Sequence, residues 1–167
     1  MSPFYFDMIY TKKNIITGAL IYAIGDTIAT LILNDFSWVR LLGMVFIGAT
    51  VYAFEIPNVY KWIDNRTEAF KNPKKWLSKT LWATLYFNPL WIARHMLFIF
   101  IITGVWQNIN WGLIIIGFWS FVWSLPITFT GNYVIQNLIK FKYRFLASSV
   151  FSGLMAIYYA LSEVYLN

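Results

Sequence analysis

Asp26, Glu55, Arg94 and His95 are ionisable residues set within long apolar stretches of a 167-residue chain. At the centre of a membrane helix such a group costs on the order of 2.5–3.5 kcal/mol. It therefore pairs or faces a water-filled cavity, and it marks solute paths and proton relays. Asp26 lies 13 residues past Lys13, and Arg94 lies 15 past Lys79. At 1.5 Å per residue both sit roughly 20–22 Å along their helices. Similar depth predicts an Asp26–Arg94 pair between the first and third helices, read either as a register-fixing ion pair or as part of a polar path. Asp26 and Glu55 also remain open to proton-coupled work, while His95 alone reads as a hydrogen-bonded packing residue.

Spacing adds uncharged groups to these. Tyr22, Asp26, Thr30 and Asn34 recur at i, i+4 and share one helix face, as do Thr128, Asn132 and Gln136 further on. Two polar stripes on different helices suit a hydrated path, yet they also suit hydrogen-bonded helix packing, worth about 0.6 kcal/mol per contact. Ser149, Ser152, Gly153, Ala156 and Ala160 form a small-residue face near the end of the chain. Such faces let helix backbones approach closely, within one bundle or between subunits.

The elements that carry these residues follow from composition. The chain is 59% hydrophobic, 21% aromatic and only 12% charged, against roughly 25% charged residues in an ordinary soluble domain. A soluble fold of this length leaves about 30% of its unfolded-chain surface exposed and could not hide so much apolar area. We therefore expect an all-α, polytopic transmembrane helix bundle. With no cysteine and one histidine, disulfides, thiolate metal sites and multi-histidine centres are excluded. No hydrolase triad assembles and no glycine-rich phosphate loop follows a strand, so the expectation is a non-enzyme without metal or cofactor, with lipids bound. Bound pigments or quinones are disfavoured, since Trp38, Trp62, Trp76, Trp106 and Trp111 fall near helix ends, where aromatic belts form.

Five candidate spans of about 20 residues or more emerge, at 14–33, 38–63, 77–104, 111–139 and 145–166 (four if one segment is interfacial). Pro57, Pro89 and Pro126 fall inside three of them and should bend them. Residues 1–13 read as an interfacial segment, anchored by Phe4, Tyr5, Phe6 and Tyr10, ahead of one helical domain at 14–167. With five spans, Lys12, Lys13, Lys61, Arg66, Lys71, Lys74, Lys75, Lys79, Lys140, Lys142 and Arg144 share one side, 11 of the 13 basic residues. Asp35, Arg40 and Glu163 fall on the other. By the positive-inside rule the N-terminus then faces the matrix or cytoplasm. The net charge of +6 points to anionic headgroups rather than nucleic acid.

Taken together, these residues resemble the peroxisomal 22-kilodalton membrane protein family, which has inner-mitochondrial and vacuolar relatives. The likeness is carried by Gly25-Asp26-Thr27-Ile28-Ala29, by Arg40, Met44, Gly48, Tyr60, Lys61 and Asp64, by Lys79, Phe87, Pro89 and Gly104, and by Trp123, Pro126, Asn132, Tyr133 and Tyr143-Arg144. The chain departs from the family where Ala53-Phe54 stands for Gly-Pro and Ala83-Thr84 for Asp-Gln. The resemblance implies a small channel-like protein of the inner mitochondrial or peroxisomal membrane. A weaker similarity, through Asp26-Thr27, Arg40 and Phe87-Asn88-Pro89, is to small bacterial amino-acid exporters.

The expected function is a channel or permease for small polar or anionic metabolites. Asp26 and Arg94 would line the path, with Glu55, His95, Asn132 and Thr30 beside it. The alternative is a non-catalytic, lipid-embedded subunit of a larger complex, and either could self-associate.

Overall fold

A computed structural model describes residues 8–166, except the side chains of Leu90 and of 159–166. The aromatic anchor at residues 4–6, and the Ala160 and Glu163 side chains, lie outside that description. All regular structure among the described residues is helical. It comprises α1 (Lys12–Ile32), α2 (Trp38–Ile47), α3 (Ala53–Thr67), α4 (Lys74–Thr103), α5 (Gly112–Asn137) and α6 (Phe141–Leu166). A π-helical turn, Gly48–Tyr52, joins α2 to α3 into one rod, and a short 3₁₀ turn, Trp106–Asn108, precedes α5. Four helices are long and apolar enough to cross a membrane: α1, the α2–α3 rod, α4 and α5. Each of the five expected segments is helical, and four of them, all but α6, are among these candidate spans.

Local chemistry sets the ends. The Thr11 hydroxyl caps α1 by accepting from the Asn14 N–H at 3.2 Å, which satisfies one of the donors a helix start leaves free. After α1 the chain reverses through Asn34 at φ 54°, a left-handed conformation that asparagine tolerates better than most residues. Ser37 then caps α2. Gly104, at φ 74°, closes α4, and the Val105 N–H returns to the Phe100 carbonyl at 3.0 Å, satisfying a carbonyl the helix end leaves free. Pro57, Pro89 and Pro126 lie inside α3, α4 and α5.

The helices alternate in direction. Gly18 meets Phe145 and Gly25 meets Gly153, so α1 and α6 run parallel. Gly18 also crosses Gly48 and Asp26 meets Arg40, while Thr84 pairs with Asn132 and Thr80 with Asn137. The rod is thus antiparallel to α1, and α5 to α4. The most extensive contacts are α4 on α5 and α1 on α6. The core between them and the rod holds Tyr22, Met44, Tyr52, Ile56, Tyr60, Ile63, Phe87 and Phe145. Outward faces carry apolar rows at helical spacing: Trp38, Leu42 and Phe46 on α2, and Ile115, Trp119 and Trp123 on α5.

Part of the small-residue face of α6 is used inside the chain. Ser149 is fully buried, and a Cβ on Gly25 would sit 2.7 Å from the Gly153 Cα. Ser152 and Ala156 line a pocket between the helices.

Candidate functional site

Asp26, six residues before the end of α1, is 4% exposed. Its partner is Arg40. The Arg40 Nε donates to Oδ2 at 2.9 Å and Nη2 to Oδ1 at 2.8 Å, the bidentate fork that suits guanidinium and carboxylate. Ser37 starts α2 beside the end of α1, so Arg40, in the first turn, reaches back down the outgoing helix. Asp35 lies 3.8 Å from the same guanidinium. From α4, His95 Nε2 stands 3.5 Å from Asp26 Oδ1, and its Nδ1 shares a hydrogen bond with the Tyr52 hydroxyl at 3.3 Å. An Arg40–Asp26–His95–Tyr52 chain thus joins α1, α2, the π turn and α4.

The expected Asp26–Arg94 pair does not form. Arg94 Nη1 instead donates to Glu55 Oε1 at 2.6 Å, and Tyr86, two turns earlier on α4, donates to the same oxygen at 3.0 Å. Asp26 and Arg94 share a depth but sit on different faces of the bundle, and depth along a helix carries no azimuth. Arg94 also lies over the Trp91 ring at 5.1 Å and the Tyr52 ring at 5.7 Å. Tyr52 is completely buried, between Tyr22 and Trp91 at ring separations of 4.5 and 4.9 Å. Widened π turns of this kind recur at functional sites. Here the turn brings Gly48 against α1 and Tyr52 into the centre.

The polar stripes face inward except at Asn34, which falls in the turn after α1 and is exposed. Tyr22, Asp26 and Thr30 on α1, and Ser124, Thr128, Asn132 and Gln136 on α5, are all buried. Asn132 Nδ2 donates to Thr84 Oγ1 at 3.1 Å. Thr30 turns its hydroxyl back onto the Thr27 carbonyl, so it serves its own helix. Gln136 is fully buried with neither amide atom hydrogen-bonded, and Asn88 Nδ2 is likewise unpaired.

Two partly open pockets adjoin between the helices. One, of about 250 Å³, is lined by Asp26, Arg40, His95 and Tyr22. The other, of about 60 Å³, is lined by Asn88, Ser124, Thr128, Asn132 and Ser148. They share Trp91, Ile92, Ser152 and Met155 as a common wall. Glu55 faces a separate outer groove of about 830 Å³, and Arg94 another of about 450 Å³. The structure thus places Asp26 and His95 in one pocket and Asn132 in its neighbour across the shared wall, with Glu55 and Arg94 on other grooves.

Arg40 is the site residue that sequence reasoning missed, because it was assigned to the headgroup region opposite the basic side. A signal existed: Asp26 lies about 9 Å below the end of α1 at 1.5 Å per residue, within reach of a long side chain in the next helix's first turn.

Among the described residues, fold and site define an all-helical bundle with four helices long and apolar enough to cross a membrane and with polar groups set into its interior. Comparison with family models, curated proteins and solved structures returned no match.

Proposed function

We propose that this chain is an integral membrane protein that passes small polar or anionic solutes through the interior between the α1–α6 and α4–α5 pairs. The observation that carries the reading is a pair of adjoining, largely apolar pockets with polar groups set into them: Asp26, Arg40 and His95 in one, and the hydroxyls and amides around Asn132 in the other. At about 30 Å³ per water in the liquid, the larger holds on the order of eight waters and the smaller about two. The unpaired amide nitrogen of Asn88, on the wall of the smaller pocket, fits a wet interior, since an unpaired buried polar group costs about 1–3 kcal/mol that water relieves. Arg40, rather than Arg94, is the cation that meets a passing anion.

In this reading α6 is the fifth span. The N-terminus and 11 of the 13 basic residues then face the matrix or cytoplasm. The resemblance noted above favours an inner mitochondrial or peroxisomal membrane. The alternative reading is a lipid-embedded subunit of a larger assembly; the close approach of Gly25 in α1 to Gly153 in α6 uses part of the small-residue face within the chain.

The test uses the absence of native cysteine. Ser152→Cys, in the wall between the pockets, is reconstituted in liposomes and solute entry is followed by osmotic swelling before and after thiol modification. We expect swelling well above protein-free vesicles and a fall of at least tenfold on modification. Arg94→Gln, outside the passage, should leave swelling unchanged. Swelling no faster than in empty vesicles, or indifferent to modification, refutes the proposal.

A further inference from the structure

We infer that the basic end of the bundle holds a phosphate-bearing anionic lipid between the start of α1 and the start of α6, with Lys13, Lys142 and Tyr143 as its seat. The inference rests on membrane insertion but not on solute passage.

Lys13, from α1, places its ammonium 5.3 Å from the centre of the Tyr143 ring, and Lys142, from α6, places its own 4.8 Å from it. Two like charges from different helices thus converge on one exposed ring. Lys12 and Lys140 flank them, and all four lysines are exposed. Among the described residues none of the four is in an ion pair.

Asp64, at the end of the rod, is committed to other bases. It receives Arg144 at 2.9 Å on both carboxylate oxygens and Lys79 at 2.5 Å. The helix starts increase the imbalance. Neither α1, α4 nor α6 has an acidic residue in its first turn, although a helix start is itself positive and favours anions. Parallel α1 and α6 bring two such starts side by side.

Charge of this density, with no ion-pair partner among the described residues, suits an anion. Tyr143 supplies an amphipathic ring of the kind that settles at headgroup level. Lipid phosphate is the anion available at that level, and bases near an anionic membrane surface attract it.

Native mass spectrometry of the full chain in mild detergent tests the seat. The probes are cardiolipin, phosphatidylcholine with matched acyl chains, and inorganic phosphate. We expect cardiolipin to be retained at least tenfold more strongly than phosphatidylcholine, and Lys13→Gln/Lys142→Gln to reduce it to the phosphatidylcholine level. Lys142→Glu alone should act in the same direction, and Lys71→Gln/Lys75→Gln should leave retention unchanged. Equal retention of the zwitterionic lipid, full retention by the double variant, or equal loss in the loop variant overturns the inference. Displacement of cardiolipin by millimolar inorganic phosphate overturns it in favour of a free ion. None of these outcomes depends on vesicle swelling, so the seat and the passage fail separately.

Discussion

Asp26 and Arg40 behave as a unit, because the fork between them is the principal compensation for a carboxylate that is only 4% exposed. Removing one partner of such a pair costs about 3–5 kcal/mol, since the other charge stays buried. Asp26→Asn and Arg40→Gln should each lower stability by about that amount. The double variant should lose clearly less than the sum, the signature of direct coupling. Unfolding in detergent, run as a double-mutant cycle, reads this, and additive losses would show that the two side chains act independently. Arg94→Gln should cost less, because the Arg94–Glu55 pair is more exposed, with 29% and 17% of the side chains accessible, and solvent weakens such pairs. The stripe residues Asp26, Asn132 and Gln136 were legible as inward-facing from i, i+4 spacing alone. Their partners were not, because spacing orders residues around one helix and carries no information about which neighbour turns toward them.

Individual helices are held together by close backbone crossings. A Cβ at Gly18 would collide with the Gly48 carbonyl oxygen, and one at Gly25 would press on the Gly153 backbone. Backbone cannot rotate away as a flexible side chain can, so the helices themselves must separate. Gly18→Ala and Gly25→Ala should each cost about 1–3 kcal/mol, the range for overpacking a filled interior. Gly131→Ala should cost less, because the atoms it would meet belong to the Phe151 ring. Comparing the three by thermal unfolding in detergent tests the order, and an equal cost at all three sites would refute it. The small-residue motif was readable in the sequence as a packing face. That part of it serves this chain was open until Gly25 of α1 was seen against Gly153. The π turn left no such signal: its five residues, Gly48–Tyr52, read as ordinary helix, and it is the crossing at Gly18–Gly48 and the burial of Tyr52 that make it visible.

At the scale of the molecule, alternating helices and a one-sided distribution of lysine and arginine make a topological prediction. A single cysteine at Lys71, in the loop before α4, and one at Asn108, in the turn before α5, should react with an impermeant thiol reagent from opposite faces of a sealed vesicle. Cysteines at Lys12 and Lys140 should follow Lys71. Labelling of Lys71 and Asn108 from the same face would refute the alternating arrangement.

Composition and hydropathy alone determined that the chain is helical, and they located its long apolar segments, because length and apolarity are local properties of a segment. The same holds for the inward polar stripes, which follow from helical periodicity. Only tertiary structure decided that Asp26 takes Arg40 and His95 while Arg94 takes Glu55, and that two pockets with polar groups set into them adjoin at Trp91 and Ser152. Ion pairing and pocket formation depend on how helices rotate about their axes and how closely they cross. Those quantities are set by the packing of all the helices at once, at points such as Gly18–Gly48 and Gly25–Gly153, and by no single stretch of sequence.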